Sequence, residues 1–574
     1  MMNSKIAKIF YQISEYLIMK DVAFKPQAYE RAARLIESME EDLDDVYKKG
    51  GVKALMKIEG IGESMAEKIE EFIKTGKIKD YEKLRKECPV DLEVLTSVEG
   101  IGPKMIKALY EKLHVKTLND LEKAAKAHKI QKLPRFGPKV EENILTGIEF
   151  AKGSHGRFLL GFILPLVRKI ENRLRDLDFV SQAVAAGSVR RMKETVGDID
   201  ILVVSSKPEK AMDYFCSMNE VEKIIAKGET KSSVRLDLGL DADIRVVAKE
   251  SFGAALQYFT GNKDHNVVLR RLAQDKRFKL NEYGIFRGKK RIAGKTEEEV
   301  YKVLGLEWMD PELRENTGEI EASDSGKLPK LVDYKDIKGD LQMHSEWSDG
   351  AHSIKKLAET AGQLGHEYIA ITDHTGELRI AGGMSEKEIL RYFVEIEKID
   401  KALKGIRILK GIETNIRKDG TIDISDKILA KADIVLASVH SNFKMGKEEM
   451  TKRICRAMEN PYVDIISHPT ARVIQGRPGY EVDFDKLFEC AKRTGTVLEI
   501  NSYPDRLDLS DVNIKRAIGA GVKLSIGTDS HSRNQLHNIE LGIAQARRGW
   551  SEKKDIINTM GFEDLIVFLK RHKK

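Results

Sequence analysis

The sequence predicts a multidomain α/β protein: a helical N-terminal region, a mixed middle region organised around one carboxylate-bearing strand, and a C-terminal β/α barrel. Three observations carry this expectation. The 574 residues, 41% of them hydrophobic, are enough for several cores. Apolar residues recur at helical spacing near the start of the chain, as in Ile6, Ile9, Phe10, Ile13 and Leu17. From Gly339 onward, short apolar runs end repeatedly in a histidine or an acid and alternate with helical patterns, the layout of a parallel barrel whose strand C-termini carry a site.

Residues 1–85 read as short helices and 86–150 as a second helical unit. Gly60 and Gly62 flank Ile61 ahead of one apolar-periodic helix, Gly100 and Gly102 repeat that arrangement, and 133–139 is a degraded copy with Arg135 in place of the first glycine. Glycines permit a tight turn, and unobstructed backbone N–H groups at a helix start meet a DNA phosphate without reading bases. These segments resemble helix-hairpin-helix motifs, which implies nonspecific DNA binding.

The stretch 187–204 organises the middle of the chain. Gly187 and Ser188 leave N–H groups free for phosphate, and Arg190 and Arg191 add charge-assisted donors. Asp198 and Asp200 open an apolar strand, where residues two apart share a face, so both carboxylates converge. Such a pair either repels itself into protonation or binds a hard divalent cation, magnesium or manganese. The run 240–247 supplies a third carboxylate; Asp243 is preferred to Asp241, which lies at the outer end.

This string resembles the G-S-x(n)-D-x-D motif of nucleotidyltransferases and, in its fuller extent, the palm of family X DNA polymerases of the beta type. The resemblance implies a palm over 151–257 in which Asp198, Asp200 and Asp243 hold two Mg2+ or Mn2+ ions, while Gly187, Ser188, Arg191 and Arg157 bind a triphosphate. It implies a thumb over 258–318, in which Tyr258, Phe259 and Gly261 match the sugar-discriminating turn and Asn266 and Arg270 match positions beside the nascent base pair and template. In the N-terminal region, Lys68, Lys25 and Tyr29 match the beta-type lyase domain, whose lysine forms a Schiff base with an abasic sugar. Ser64 and Phe24 depart from that domain, which has a lysine and a histidine there. Between Lys263 and Lys295, 11 Lys or Arg face 3 Asp or Glu, a local excess above the net +7 of the whole chain, so a duplex backbone could lie there.

The stretch from Trp308 to Gly339 carries turn residues and little periodicity and is expected to be a linker, 319–338 in its narrow form. The barrel then spans 339–574. His344, Asp349, His374, Glu413, His440, His468, Asp529 and His531 all follow short apolar runs or the barrel's opening segment. Mixed imidazole and carboxylate ligands suit zinc, manganese or iron. This half resembles the polymerase and histidinol phosphatase (PHP) domain, which implies a distorted β/α barrel, up to three ions and phosphoester cleavage. Gln342 departs from the usual first histidine, and a neutral amide binds such metals poorly.

The expected function is a DNA-directed DNA polymerase filling short gaps in base excision repair. It carries a 3′–5′ exonuclease or phosphoesterase in the barrel and a possible 5′-deoxyribose-phosphate lyase or abasic-site activity. Its partners are gapped or primed duplex DNA and deoxynucleoside triphosphates, and it acts as a monomer. Three alternatives stay open: a PHP-type phosphatase or abasic-site nuclease on a vestigial polymerase scaffold, a nucleotidyltransferase acting on something other than DNA, and a noncatalytic DNA-binding scaffold. No run of about 18 apolar residues occurs, so no membrane partner and a cytoplasmic location are expected. Cys88, Cys216, Cys455 and Cys490 lack C-x-x-C spacing and are expected as reduced core thiols.

Overall fold

The structure, a computed structural model, describes residues 2–570 apart from 38, 40, 59, 97, 99, 100, 135 and 155. Gly100 and Arg135, expected in the second and third hairpin motifs, therefore lie outside the described residues.

Helices Met2–Met19, Lys25–Glu37, Leu43–Leu55 and Glu63–Thr75 bury Phe10, Ile36, Leu55, Ile61 and Ile69 in one core. Helices Pro103–Leu113, Leu118–Lys126 and Pro138–Ser154 bury Ile106, Leu109, Leu121 and Ile144 in a second. The two hairpin glycines Gly62 and Gly102 are extended residues just ahead of their helices, and neither helix start is capped by a side chain. Gly60 adopts φ +93°, and a Cβ there would come within 3.2 Å of Leu35.

The palm is a five-stranded sheet in the order Val180–Ala185, Asp198–Ser205, Asp241–Val246, Lys231–Leu236, Val221–Lys227. Only Asp198–Ser205 and Asp241–Val246 run parallel, in a register that sets Asp198 opposite Asp241 and Asp200 opposite Asp243. Ile199, Ile201 and Val203 point to the buried face against Ile163, Val167 and Ile170 of helix Leu160–Arg175. The alternation that buries the isoleucines turns the aspartates outward.

The thumb joins helices Phe252–Thr260, Lys263–Asp275 and Glu297–Val303 to a three-stranded antiparallel sheet. Its core extends into the stretch expected as a linker: Met309 and Ile320 pack with Leu269, Ile285 and Tyr301. Helix Glu319–Asp324 forms there, and buried Glu319 pairs with buried His265 at 2.7 Å. Arg314 is fully buried against Glu297, at 2.6 Å. The segment from Trp308 to about 325 is thus folded; its buried residues are single anchors between turns, a pattern with neither a strand nor a helix period.

The C-terminal domain is a parallel seven-stranded sheet in strict chain order from Gly339–Asp340 to Leu524–Gly527. Thr528 donates through its backbone N–H to Asp340 at 3.0 Å, and Met343 bridges to Ser530, which brings last strand to first. The strands are apolar and buried on both faces, as helix-covered parallel strands must be. Barrel and palm share a core: Leu507 and Leu541 belong to the cluster of Ile199 and Ile201. A Cβ at Gly161 would come within 2.6 Å of Leu541 and 2.8 Å of Pro504. Among the described residues, no helix is long and apolar enough to cross a membrane.

Candidate active sites

On the palm sheet, Asp198, Asp200 and Asp243 meet on the outward face. Burial and the charges of Asp198 and Asp243 push the Asp200 carboxyl up to about 6, the behaviour of acids gathered with too few cations. Lys231 lies 2.7 Å from Asp243. Asp241 is taken up elsewhere, accepting from Nε and Nη2 of Arg235 at 2.6 and 2.8 Å.

Gly187 abuts this trio. Its φ is +61°, and a Cβ would stand 3.2 Å from Asp200 Oδ2, so only glycine brings the turn this close. Gly187–Arg190 is one helical turn that carries Ser188. Arg191 donates through Nε to Glu315 at 2.9 Å and through Nη1 to the Thr260 carbonyl, which places it at the Tyr258–Gly261 turn. Arg190, offered by the sequence as a second phosphate donor, is spent instead on Glu297, at 2.8 and 2.7 Å, and on Thr260. Arg157 donates to Thr195 at 2.9 and 2.6 Å, three residues before Asp198.

The thumb turn is braced from behind. Asn266 Nδ2 donates to the Tyr258 carbonyl at 2.7 Å and its Oδ1 accepts from Gln257, while Arg270 donates to the Asn266 carbonyl at 3.3 Å. Tyr258 meets Phe259 edge-on, and Arg245 lies over the Phe259 ring. Gly261, at φ +69°, would place a Cβ 3.4 Å from Arg191.

In the N-terminal domain Lys68 lies 3.2 Å from Asp80 and donates to Ser64 Oγ at 3.2 Å. Burial alone would lower the Lys68 ammonium, but Tyr29 and Asp80 together hold it above its ordinary value. A free amine nucleophile needs the opposite shift. Tyr29 is buried against Phe10, whereas Lys25 is exposed at the start of its helix.

The barrel cluster is denser. His344 Nε2 lies 3.1 Å from Asp529 and 3.4 Å from Glu413. Glu413 is also 3.3 Å from His374, 3.3 Å from His440 and 3.1 Å from His468. Asp349 stands 3.3 Å from His531 and 3.8 Å from His374. Potential ligand atoms fall into three overlapping groups: His344, Asp349, His374 and His531; His374, Glu413 and His440; His344, Glu413 and Asp529. His344 Nδ1 and Nε2, His374 Nδ1, His468 Nδ1 and Glu413 Oε2 are buried and have no hydrogen-bond partner. Buried polar atoms are as a rule hydrogen-bonded, and several left without a partner in one cluster of imidazoles and carboxylates fit divalent cations. Burial disfavours the His344 imidazolium, but Asp529, Glu413 and Asp349 outweigh it and raise the ring to about 10; burial pushes neighbouring His374 down to about 3.

Several supporting residues escaped the sequence reading. Asn415 pairs with His440 Nδ1 at 2.7 Å, and Asn501 donates to Asp529 at 3.1 Å. Ser438 donates to Glu413, and Glu499 accepts from the His468 backbone at 2.7 Å. Such partners fix ligand orientation. The i, i+2 step along a strand was the available signal, since Asn415 follows Glu413 by two residues and Asn501 follows Glu499 likewise. Gln342 is fully buried, and neither end of its amide is hydrogen-bonded.

Two metal-binding constellations on one chain, a palm with its thumb and a histidine-rich barrel, define a bifunctional enzyme of phosphoester chemistry. The comparisons agree. Family models match at residues 1–78 (helix-hairpin-helix domain), 92–149 (SAM-like helix-hairpin-helix tandem), 255–315 (DNA polymerase beta thumb) and 340–503 (PHP domain). The chain is 37% identical to the DNA polymerase/3′-5′ exonuclease PolX of Bacillus subtilis over the whole of both chains. A probable phosphatase of Caldanaerobacter subterraneus is 33% identical over 33% of this chain and 76% of its own. One of Acetivibrio thermocellus is 34% identical over 33% of this chain and 78% of its own. The chain belongs to the family X DNA polymerases that carry a PHP domain.

Proposed function

We propose that this enzyme fills short gaps during base excision repair in the cytoplasm and trims the same primer ends in its barrel. It is a DNA-directed DNA polymerase with 3′–5′ exonuclease activity. The observation that carries the polymerase reading is the convergence of Asp198, Asp200 and Asp243 beside Gly187, with Arg191 reaching from the same turn to the thumb.

Asp198, Asp200 and Asp243 would hold Mg2+ or Mn2+. When bound, such cations activate a hydroxyl and neutralise charge on phosphorus. The N–H groups at Gly187 and Ser188, with the Arg191 and Arg157 guanidiniums, bind and orient the triphosphate. The Tyr258–Gly261 turn, held by Asn266, brings backbone close enough to the sugar to exclude a 2′-hydroxyl. Gly60, Gly62, Gly100 and Gly102 offer N–H groups to the duplex backbone.

In the barrel, Asp349, Glu413, Asp529 and the five histidines would hold up to three Mn2+, Zn2+ or Fe2+ ions for hydrolysis. Asn415, Asn501 and Ser438 keep those ligands in orientation. Lys68 is the candidate lyase nucleophile, with Tyr29 and Asp80 holding its ammonium above the ordinary value. One incubation tests the reading. On gapped duplex with deoxynucleotides and manganese, primers should lengthen to the gap's end; with deoxynucleotides omitted they should shorten. A chain that shortens primers and never lengthens them would support the vestigial-scaffold alternative instead.

A further inference from the structure

The barrel helix Ile539–Arg548 ends at the polymerase site. The Arg548 side chain is only 1% exposed, and a buried guanidinium stays in place only if it is well paired. All its acceptors lie at the join between barrel and polymerase. Nη1 donates to the Arg191 carbonyl at 3.0 Å and to Glu315 Oε1 at 3.2 Å, and Nη2 donates to Asp511.

Glu315 is the hub. The same Oε1 accepts from Arg191 Nε at 2.9 Å, while Oε2 accepts from Asn262 at 3.1 Å, and Lys193 stands 3.6 Å away. Asn262 caps the thumb helix Lys263–Asp275, accepting from the His265 backbone. One carboxylate thus gathers the arginine of the phosphate turn, the start of the thumb helix and an arginine from another domain. Burial would raise the Glu315 carboxyl, but Arg548, Arg191 and Lys193 hold it below the ordinary range.

We propose that Arg548 is a positioning residue for nucleotide binding: it neutralises and fixes Glu315, so that Arg191 is aimed at the incoming triphosphate and less strongly drawn to that carboxylate. This rests on the reading of Arg191 as a triphosphate ligand. Around Glu315 and Asp511 stand three cations, Arg191, Lys193 and Arg548. Without Arg548 the surplus positive charge at this junction is gone, and Glu315, left with Lys193 and Asn262, draws more strongly on Arg191. The barrel then contributes to polymerisation without touching substrate.

The test uses the full chain in single-nucleotide gap filling. Arg548→Gln should raise KM for deoxynucleotide about tenfold and leave kcat within about twofold, the range of coupling expected between contacting charged residues. Exonuclease rate should not change. Arg548→Lys keeps the charge but not the fork, should fall between, and serves in place of Arg548→Gln if that variant does not fold. Adding Glu315→Gln to Arg548→Gln should cost less than the two single effects combined. Gln545→Ala cuts a different contact across the same join, Nε2 to Glu194 at 2.8 Å, and should leave KM as it was. An unchanged KM in a folded Arg548 variant would overturn the proposal. So would a parallel loss of KM, kcat and exonuclease in both the Arg548 and Gln545 variants, because Arg548 would then only hold the domains together. Arg191→Ala with wild-type KM would overturn the nucleotide-site reading itself, and the proposal with it.

Discussion

The palm and the barrel gather metal-binding residues by different means. In the palm, three carboxylates meet because two neighbouring strands run parallel in one register, and Asp198 stays exposed while Lys231 sits against Asp243. In the barrel, ligands arrive from the ends of six of the seven strands; His344, His374, Glu413, His468 and Asp529 are buried and Asp349, His440 and His531 half-buried, with imidazole nitrogens and a Glu413 oxygen left without hydrogen bonds. An open carboxylate trio can receive cations along with a charged substrate. A largely buried cluster whose hydrogen-bonding atoms are not all satisfied gains much from bound cations. The palm is therefore a site completed by its substrate, and the barrel a site completed by its metals.

That contrast can be broken most sharply by stability. Manganese at a hundredfold excess over its Kd should stabilise the barrel by about 2.7 kcal/mol per independent site. In calorimetry a chelator should remove that stabilisation, and Asp529→Ala should blunt it, while Asp200→Ala leaves it intact. Equal shifts in both variants would erase the distinction. A smaller effect concerns Lys68. Borohydride should trap an adduct with a 5′-deoxyribose-phosphate end, and Lys68→Ala should remove most of it. Asp80→Asn takes away the nearest acid and should speed trapping by about threefold, the size of a partly exposed ion pair. Slower trapping in Asp80→Asn would show that Asp80 orients the amine and does not merely restrain it.

Much of each site was legible because its signal was local. The D-x-D step on a strand and the choice of Asp243 needed only the period of two and one neighbouring run. The barrel histidines announced themselves at the ends of apolar runs. The chain hid what depends on distant partners. Arg190 looked like a phosphate donor until Glu297, 107 residues away, claimed it. Glu315 and Arg548 are 233 residues apart, and nothing in either local sequence marks them as a pair. The expected linker failed for the same reason: Arg314, Glu319 and Ile320 are buried by thumb residues that no local window contains. The shared core of Leu507 and Leu541 with the palm is just as long-range, and no local window shows it. The ligand sets are separate, but the bodies that hold them are packed together.

One folded unit is expected to house two independent chemistries. On a single gapped substrate with manganese, Asp200→Ala should cut extension by about a thousandfold, the several kcal/mol a catalytic metal supplies, and still shorten primers. Asp529→Ala should do the reverse, losing shortening by a similar factor while filling the gap at the wild-type rate. Loss of both activities in either folded variant would contradict that independence, because the two metal clusters would then form one working site.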